Sequence, residues 1–464
     1  MSTLMMILLG LLLLSLVAGL LRRLPRAAGL VVAAGLGLQG LWLGGALSGG
    51  MSEVLGSSAD AISPNHLLMF SFQITDAVRA PILVLFWWGA LFALVAAGVK
   101  SERVLYPGIP LVLAALVLFL SSSPLLWAPL WLVLAAVIMA FLAQGNTPRP
   151  ARAALRILLM PILAFPFFLF AAWVFSQSAV AAEDPQLWNH AWKALILGMF
   201  ILTSPVPLHG WITALGESSS PFVGAFLVGV WQVTVYAFLR RLMFNYPALT
   251  AIADPGVWLP WIAVVQMLWA GALMFGSQRL GQLWGYVLLW FYGVSLLAWG
   301  LTGELGSEAL FWMFLAHPLV LALAAAGLQS VVHRFGENPT YAALHGVSER
   351  MPFSVLGLAA GSLFVLGWPL GALFPMRMAT FQVAAFRAGN IFLWAMLALA
   401  LAVLGIIRAV RHLTTPLRDV ALERESRWAA GTVLALLLAG LVLSLNPGVL
   451  TPVVQQLVVW FNTL

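Results

Sequence analysis

The chain has 464 residues, of which 62% are hydrophobic and 8% charged, with a formal net charge of +7. A soluble domain carries about 25% charged residues, so a soluble enzyme or nucleic-acid binder is excluded in favour of a polytopic membrane protein. The lack of cysteine excludes a disulfide framework, thiolate iron–sulfur ligation and covalent c-type haem attachment.

Apolar runs of about 18–25 residues can each cross a hydrocarbon core ~30 Å thick. About fourteen occur, at 4–21, 28–48, 78–99, 104–120, 124–143, 157–177, 193–208, 221–239, 257–276, 280–301, 308–330, 352–374, 390–410 and 428–446. The stretch 104–143 admits other divisions. An all-α fold of about 14 transmembrane helices follows, two of them broken. No basic residue precedes the first run, and Arg22, Arg23 and Arg26 follow it. That order is expected of a retained anchor with an external N-terminus, not of a cleaved signal peptide. The tail 449–464 reads as a short interfacial helix or a frayed end.

All but six of the 22 basic residues fall in or beside the odd-numbered loops; the six are Arg79, Lys193, Arg240, Arg241, Arg377 and Arg387. The positive-inside bias therefore puts odd loops in the cytoplasm and both termini outside, in a bacterial-type inner membrane. Arg240 and Arg241 go against the rule. The longest polar stretches, 49–77, 178–192, 240–256 and 331–351, are each too short for a core of their own. The whole of 1–464 is thus read as a single transmembrane domain.

Two segments interrupt their helices. At 204–221, Pro205, Pro207, His209 and Gly210 end one apolar run, and Pro221 opens the next. At 367–375, Pro369 sits among Gly367, Gly371 and Pro375. Unpaired backbone at membrane depth is tolerated only where protein or a water-filled cavity covers it, so such breaks mark ion and substrate pathways.

Together these segments resemble the antiporter-like membrane subunits of respiratory complex I, Mrp antiporters, membrane-bound hydrogenases and DabB-type inorganic-carbon transporters. The stretch 71–98, entered through Asp76, is similar to that family's third helix, and the Pro207–Trp211 motif with Pro221 to its seventh and eighth. His317, followed by Gly346, Met351 and Pro352, resembles the eleventh helix and its loop; 367–381 resembles the broken twelfth. The resemblance implies a line of buried glutamate and lysine groups that passes protons at mid-membrane. Here the fifth-helix glutamate falls on about Pro124, the seventh-helix lysine on Leu202 and the eighth-helix lysine on Gln232 or Val233. The twelfth-helix position keeps a charge as Arg377, which does not readily release a proton. The relay is expected to be degenerate. Lys100 and Lys193, the two lysines, are expected to snorkel at helix ends.

The candidate pathway residues are Arg377, His317, His209 and Gln232, each with a bland alternative. Arg377 either pairs with a carboxylate, for instance on a neighbouring subunit, or anchors a helix end at the membrane surface. His209 relays protons or caps the broken helix. His317 does the same, or satisfies a carbonyl freed by Pro318. Gln232, near Thr234 and Tyr236, lines a water path or bonds a neighbouring helix. Glu217 is expected to cap the helix starting at Pro221, and Glu304 and Glu308 to be solvated in a loop. Tryptophans such as Trp42, Trp87, Trp88, Trp127, Trp131 and Trp188 fit an aromatic belt. No phosphate-binding loop, nucleophile elbow or zinc-ligand spacing occurs, so no metal, cofactor or catalysis by this chain alone is expected.

Three functions fit. The first is a membrane subunit of a multisubunit, proton- or cation-coupled, complex I-like assembly, with other subunits as partners. The second is the membrane subunit of an energy-coupled inorganic-carbon pump with a large soluble cytoplasmic partner. The third is a structural anchor without ion transport.

Overall fold

In lipid a helix must bond its own backbone, and the long apolar runs of this chain do so. The computed structural model describes residues 3–45, 71–99, 101–145, 151–176, 185–336, 338–416 and 424–462. Lys100, Arg149 and Arg418, counted above among the loop charges, lie outside the described residues. The helices are α1 (Thr3–Leu20), α2 (Pro25–Leu43), α3 (Asp76–Gly98), α4 (Leu105–Ser121), α5 (Ala128–Gln144) and α6 (Arg152–Ser176). There follow α7 (Pro185–Leu202), α8 (Gly210–Ser218), α9 (Pro221–Asn245), α10 (Pro255–Gly276), α11 (Leu280–Gly300) and α12 (Thr302–Phe335). The last are α13 (Pro352–Leu366), α14 (Phe374–Arg387), α15 (Gly389–Thr414), α16 (Arg427–Leu445) and α17 (Thr451–Phe461).

Among the described residues, eleven helices are long and apolar enough to cross a membrane. The 17-residue α4 and the interrupted pairs α7/α8 and α13/α14 stand where the sequence places its other three runs. The protein is thus an all-α, multi-pass membrane protein. Its sequence pattern also sorts the helices radially. Helix α9 is apolar on every face, and its most apolar window is wholly buried, as is that of α12. Helices α1, α2 and α16 are mostly exposed. Around α9 pack α3, α4, α11 and α12.

Several boundaries differ from the sequence reading. Helix α5 begins at Ala128 because Ser122–Ser123 pairs antiparallel with Ser71–Phe72. Helix α7 begins eight residues earlier than expected, so Lys193 lies midway along it on an exposed face, not at its end. Glu217 is inside α8, and Ser220, the N-cap of α9, makes no side-chain cap bond. Ser220 instead donates to Gln329 Oε1 at 3.3 Å. Glu304 and Glu308 lie in the first turns of α12, around a kink at Gly306. Helix α17 packs on α3 and α12, with Val454, Leu457 and Phe461 buried.

Arg241, the charge on the wrong side by loop counting, has a local role. Its Nη1 donates to the Leu120 carbonyl at the end of α4, while the Gln73 amide donates to Ser121 O at 2.8 Å. A cation at a helix C-terminus meets both orphan carbonyls and the negative end of the dipole.

Trp87 and Trp88 likewise make contacts the belt does not describe. Pro318 lacks an N–H, which leaves the Phe314 carbonyl without its helical donor. Trp88, fully buried in α3, donates its Nε1–H to Phe314 O at 2.9 Å, and Trp87 donates to Leu315 O at 2.9 Å. The indole fits because α9 presents Gly229, where a Cβ would stand 1.7 Å from the Trp88 ring. Trp88→Phe, which strands that carbonyl, is expected to lower stability by about 1–3 kcal/mol. Gly229→Ala, which overpacks the same contact, is expected to cost about 1–3 kcal/mol. Thermal unfolding in mild detergent measures both, and a parent-like midpoint for Trp88→Phe would remove the indole's role.

Candidate ion pathway

Side-chain hydroxyls and an indole hold the first break. After Leu202, Thr203 Oγ1 bonds Phe200 O at 2.7 Å, and Ser204 takes a left-handed φ of 50°. Trp211 Nε1 donates to the buried Ser204 hydroxyl at 2.9 Å, which ties α8 back to the end of α7. Pro205, Pro207 and His209 fill the turns between them, and Gly210 opens α8. Pro207 is exposed and His209 half-buried. The His209 ring lies edge-on to Trp269 at 6.4 Å, and its Nδ1 is buried without a partner. Arg156 reaches the break from α6 and donates to Gly210 O at 3.1 Å.

Gln232 lies in the middle of α9, 5% exposed. Its Nε2 donates to the Tyr292 carbonyl of α11 at 3.3 Å, while its Oε1 has no partner. It borders a cavity of about 10 Å³ with Tyr236, Tyr292, Ser295 and Phe314. That is the lower limit for one water, about 10–15 Å³. Neutral polar groups of this kind can hold water but cannot store a proton's charge.

The second break is a glycine turn. Gly367 ends α13 in the left-handed region at φ +93°, and the amides of Gly367 and Trp368 return to Phe364 O and Leu363 O. Leu370 is also left-handed, at φ +71°. Pro369 lies at the outermost, exposed part of this turn. Arg377 follows on the first turn of α14 and folds back against Gly367, where a Cβ would stand 2.7 Å from both its Cβ and Cγ. Glycine is thus required twice, for its φ and for this approach.

Arg377 is 1% exposed and His317 is fully buried. Arg377 Nη2 lies 3.1 Å from His317 Nε2, and Nη1 lies 3.6 Å from Met313 Sδ. A guanidinium has no acceptor, so His317 Nε2 accepts and its ring proton sits on Nδ1. The imidazole in this bond is neutral. His317 Nδ1 and Arg377 Nε have no partner, and no carboxylate among the described residues touches Arg377. The arrangement places Arg377 away from the exposed surface.

The structure therefore brings three of the four candidate side chains into one region. Phe291 stacks edge-on to His317 at 4.7 Å, and the next residue, Tyr292, accepts from Gln232. Phe314, beside the Gln232 cavity, lies 6.3 Å from the His317 ring. His209 stands apart, against α6 and α10. Sequence reasoning missed Met313 and Phe291, which carry no polar signal, and Ser204, whose only sign was its place next to Pro205. Among the described residues no group of three or more His, Asp or Glu could hold a metal ion.

Two interrupted helices, with a buried basic residue in the second, are what the antiporter-like resemblance implies. No profile of a known protein family matches the chain. It is 25% identical over 338 residues to NADH-quinone oxidoreductase subunit N 2 of Sorangium cellulosum, a match over 67% of this chain and 65% of that relative. In structure it is similar to a chain of the archaeal membrane-bound sulfane sulfur reductase, with a TM-score of 0.75, 17% identity and coverage of 97% and 96% of the two chains. A chain of the Mrp complex from Dietzia sp. matches with a TM-score of 0.73, 18% identity and 99% and 97% coverage. The chain has the fold of the antiporter-like membrane subunits.

The structure places the positions that the resemblance assigned to relay residues as follows. Pro124 lies between α4 and α5, Leu202 is the buried last residue of α7, and Gln232 has the amide bond described above. Substituting Gly367→Ala is expected to push Arg377 away from His317 and to destabilise the fold by about 1–3 kcal/mol through strain at a positive φ. Thermal unfolding of the variant tests this, and an unchanged midpoint would show that the turn tolerates a Cβ.

Proposed function

We propose that this chain is a membrane subunit of a multisubunit energy-converting complex, in which it shapes an ion path without running a complete proton relay of its own. The observation that carries the reading is the Arg377–His317 pair, sealed behind the α13/α14 break and one helix turn from the Gln232 cavity. Arginine at mid-membrane costs about 3 kcal/mol on insertion scales and more by simulation. A simple anchor has no use for that cost or for two interrupted helices. Arginine also stays protonated, so it supplies a permanent field where a lysine would exchange protons. Neighbouring subunits would then carry the redox or ion-exchange chemistry. The low identity to complex I, sulfane sulfur reductase and Mrp chains is consistent with all three kinds of assembly.

Arg377→Ala is expected to insert and accumulate normally while reducing the coupled activity of the complex about tenfold or more. Arg377→Lys is expected to retain more activity than the alanine variant, since it keeps a cation in place. Membrane fractions matched for expression measure this; parent-like activity of Arg377→Ala would refute the role.

Mild-detergent purification of the tagged chain, with mass spectrometry of what accompanies it, tests the assembly. Iron–sulfur or hydrogenase-type subunits, or further antiporter-like chains, are the expected companions. A large soluble zinc-binding partner would turn the reading to inorganic-carbon uptake. Recovery of the chain alone and intact would overturn the multisubunit reading.

A further inference from the structure

Away from the pathway, the ends of α2, α3, α12 and α16 enclose a cavity of about 390 Å³. That volume lies within the range of about 300–1,000 Å³ usual for small-molecule sites. Arg26, Arg103, Arg334 and Arg424 line it. Arg26 and Arg334 stand at the ends of α2 and α12, Arg103 and Arg424 in the connections before α4 and α16, and the fold gathers them around one opening. The one carboxylate in the lining belongs to Glu425. Its oxygens are engaged elsewhere, accepting from the Phe353 amide at 3.0 Å and from the Ser354 hydroxyl, at the start of α13. Guanidinium charge in the lining therefore outnumbers carboxylate charge four to one.

Further groups there suit an anion. Ser426, the N-cap of the 19-residue α16, lines the cavity with Ala429 and makes no side-chain cap bond, so its hydroxyl leaves the first amides of that helix unsatisfied. The Ser101 hydroxyl is buried in the lining and has no partner. Arg26 is held with its guanidinium 4.8 Å over the Trp428 ring, a stacking that leaves its N–H edge available.

The geometry points to a binding site for a phosphate-bearing anion at the membrane face where these loops emerge. Guanidinium groups match phosphate oxygens in pairs, and several converging arginines favour a dispersed double or single negative charge over a lone carboxylate. The phosphate can arrive on the headgroup of an anionic lipid or on a soluble phosphoester. The headgroup has the advantage of position, because the cavity opens where the helices leave the hydrocarbon. This site is independent of the Arg377 pathway.

The test uses the full chain in mild detergent and two charge-matched variants. Arg26→Gln with Arg103→Gln removes two lining charges; Arg22→Gln with Arg23→Gln removes two nearby charges outside the lining. The unfolding midpoint is followed while phosphatidylglycerol, phosphatidylcholine or glycerol phosphate is titrated. Phosphatidylglycerol should stabilise the parent and the control variant at similar concentrations. The lining variant should need about tenfold more per guanidinium removed. A shift with lipid alone assigns the headgroup, and an equal shift with glycerol phosphate assigns a soluble phosphoester. If the lining double variant does not fold, Arg103→Gln and Arg424→Gln, tested singly, give the same comparison. Equal responses of lining and control variants, or no response of the parent to either phosphate, would overturn the site and leave the arginines to topology or to an acidic protein partner.

Discussion

Every peptide group at membrane depth has to be bonded by the protein itself, and the irregular parts of this chain are organised by that requirement. At four of the places where the helical ladder breaks, side chains or backbone take up the freed groups, two of them from far along the chain. The carbonyl freed by Pro318 takes the Trp88 indole, from a helix 226 residues away in sequence. The end of α4 takes the Arg241 guanidinium and the Gln73 amide. The α7/α8 break closes on Thr203, Ser204 and Trp211, and the α13/α14 break on a left-handed glycine turn. Arg377 is where it is because that last turn leaves room at Gly367 for its side chain to fold back. The site is thus a consequence of how a break is repaired.

Charge then decides what the repaired fold can do. A relay needs groups that take up and release protons, and the polar groups bordering the Gln232 cavity are an amide, two phenols, a hydroxyl and an indole. Arg377 stays protonated and His317 is fixed as an acceptor, so neither is placed to hand on a proton through the bond they share. A fixed cation still acts at a distance. Two charges about 8 Å apart interact by about 2 kcal/mol at an effective dielectric of about 20. That is enough to bias an ion's occupancy more than tenfold without any exchange at the arginine.

The helices and both breaks were legible in the sequence, because a lipid-spanning run and a Pro-x-Pro or Gly-Trp-Pro interruption are local signals. What was not legible depended on long-range contacts. Trp87 and Trp88 look like belt residues until Pro318 is seen opposite them. Arg241 violates the charge rule until the end of α4 is seen beside it. Arg377 and His317 were each singled out by the resemblance, as a charge on the broken twelfth helix and a histidine on the eleventh, but their contact spans 60 residues and no periodicity announces it. The start of α7 was missed for a different reason: Trp188, Asn189, His190 and Lys193 lower the apolar signal, although the helix continues through them with Lys193 on its exposed side.

The two interrupted helices differ in construction. The first break is held by hydroxyls and an indole, carries no buried cation, and has its histidine half-exposed near Arg156. The second is held by glycine geometry and encloses one. Backbone repair and charge placement are therefore separable: the first break persists without a charged group at the Leu202 position. In the second break geometry and charge cannot be separated, because Gly367 and Arg377 occupy each other's space.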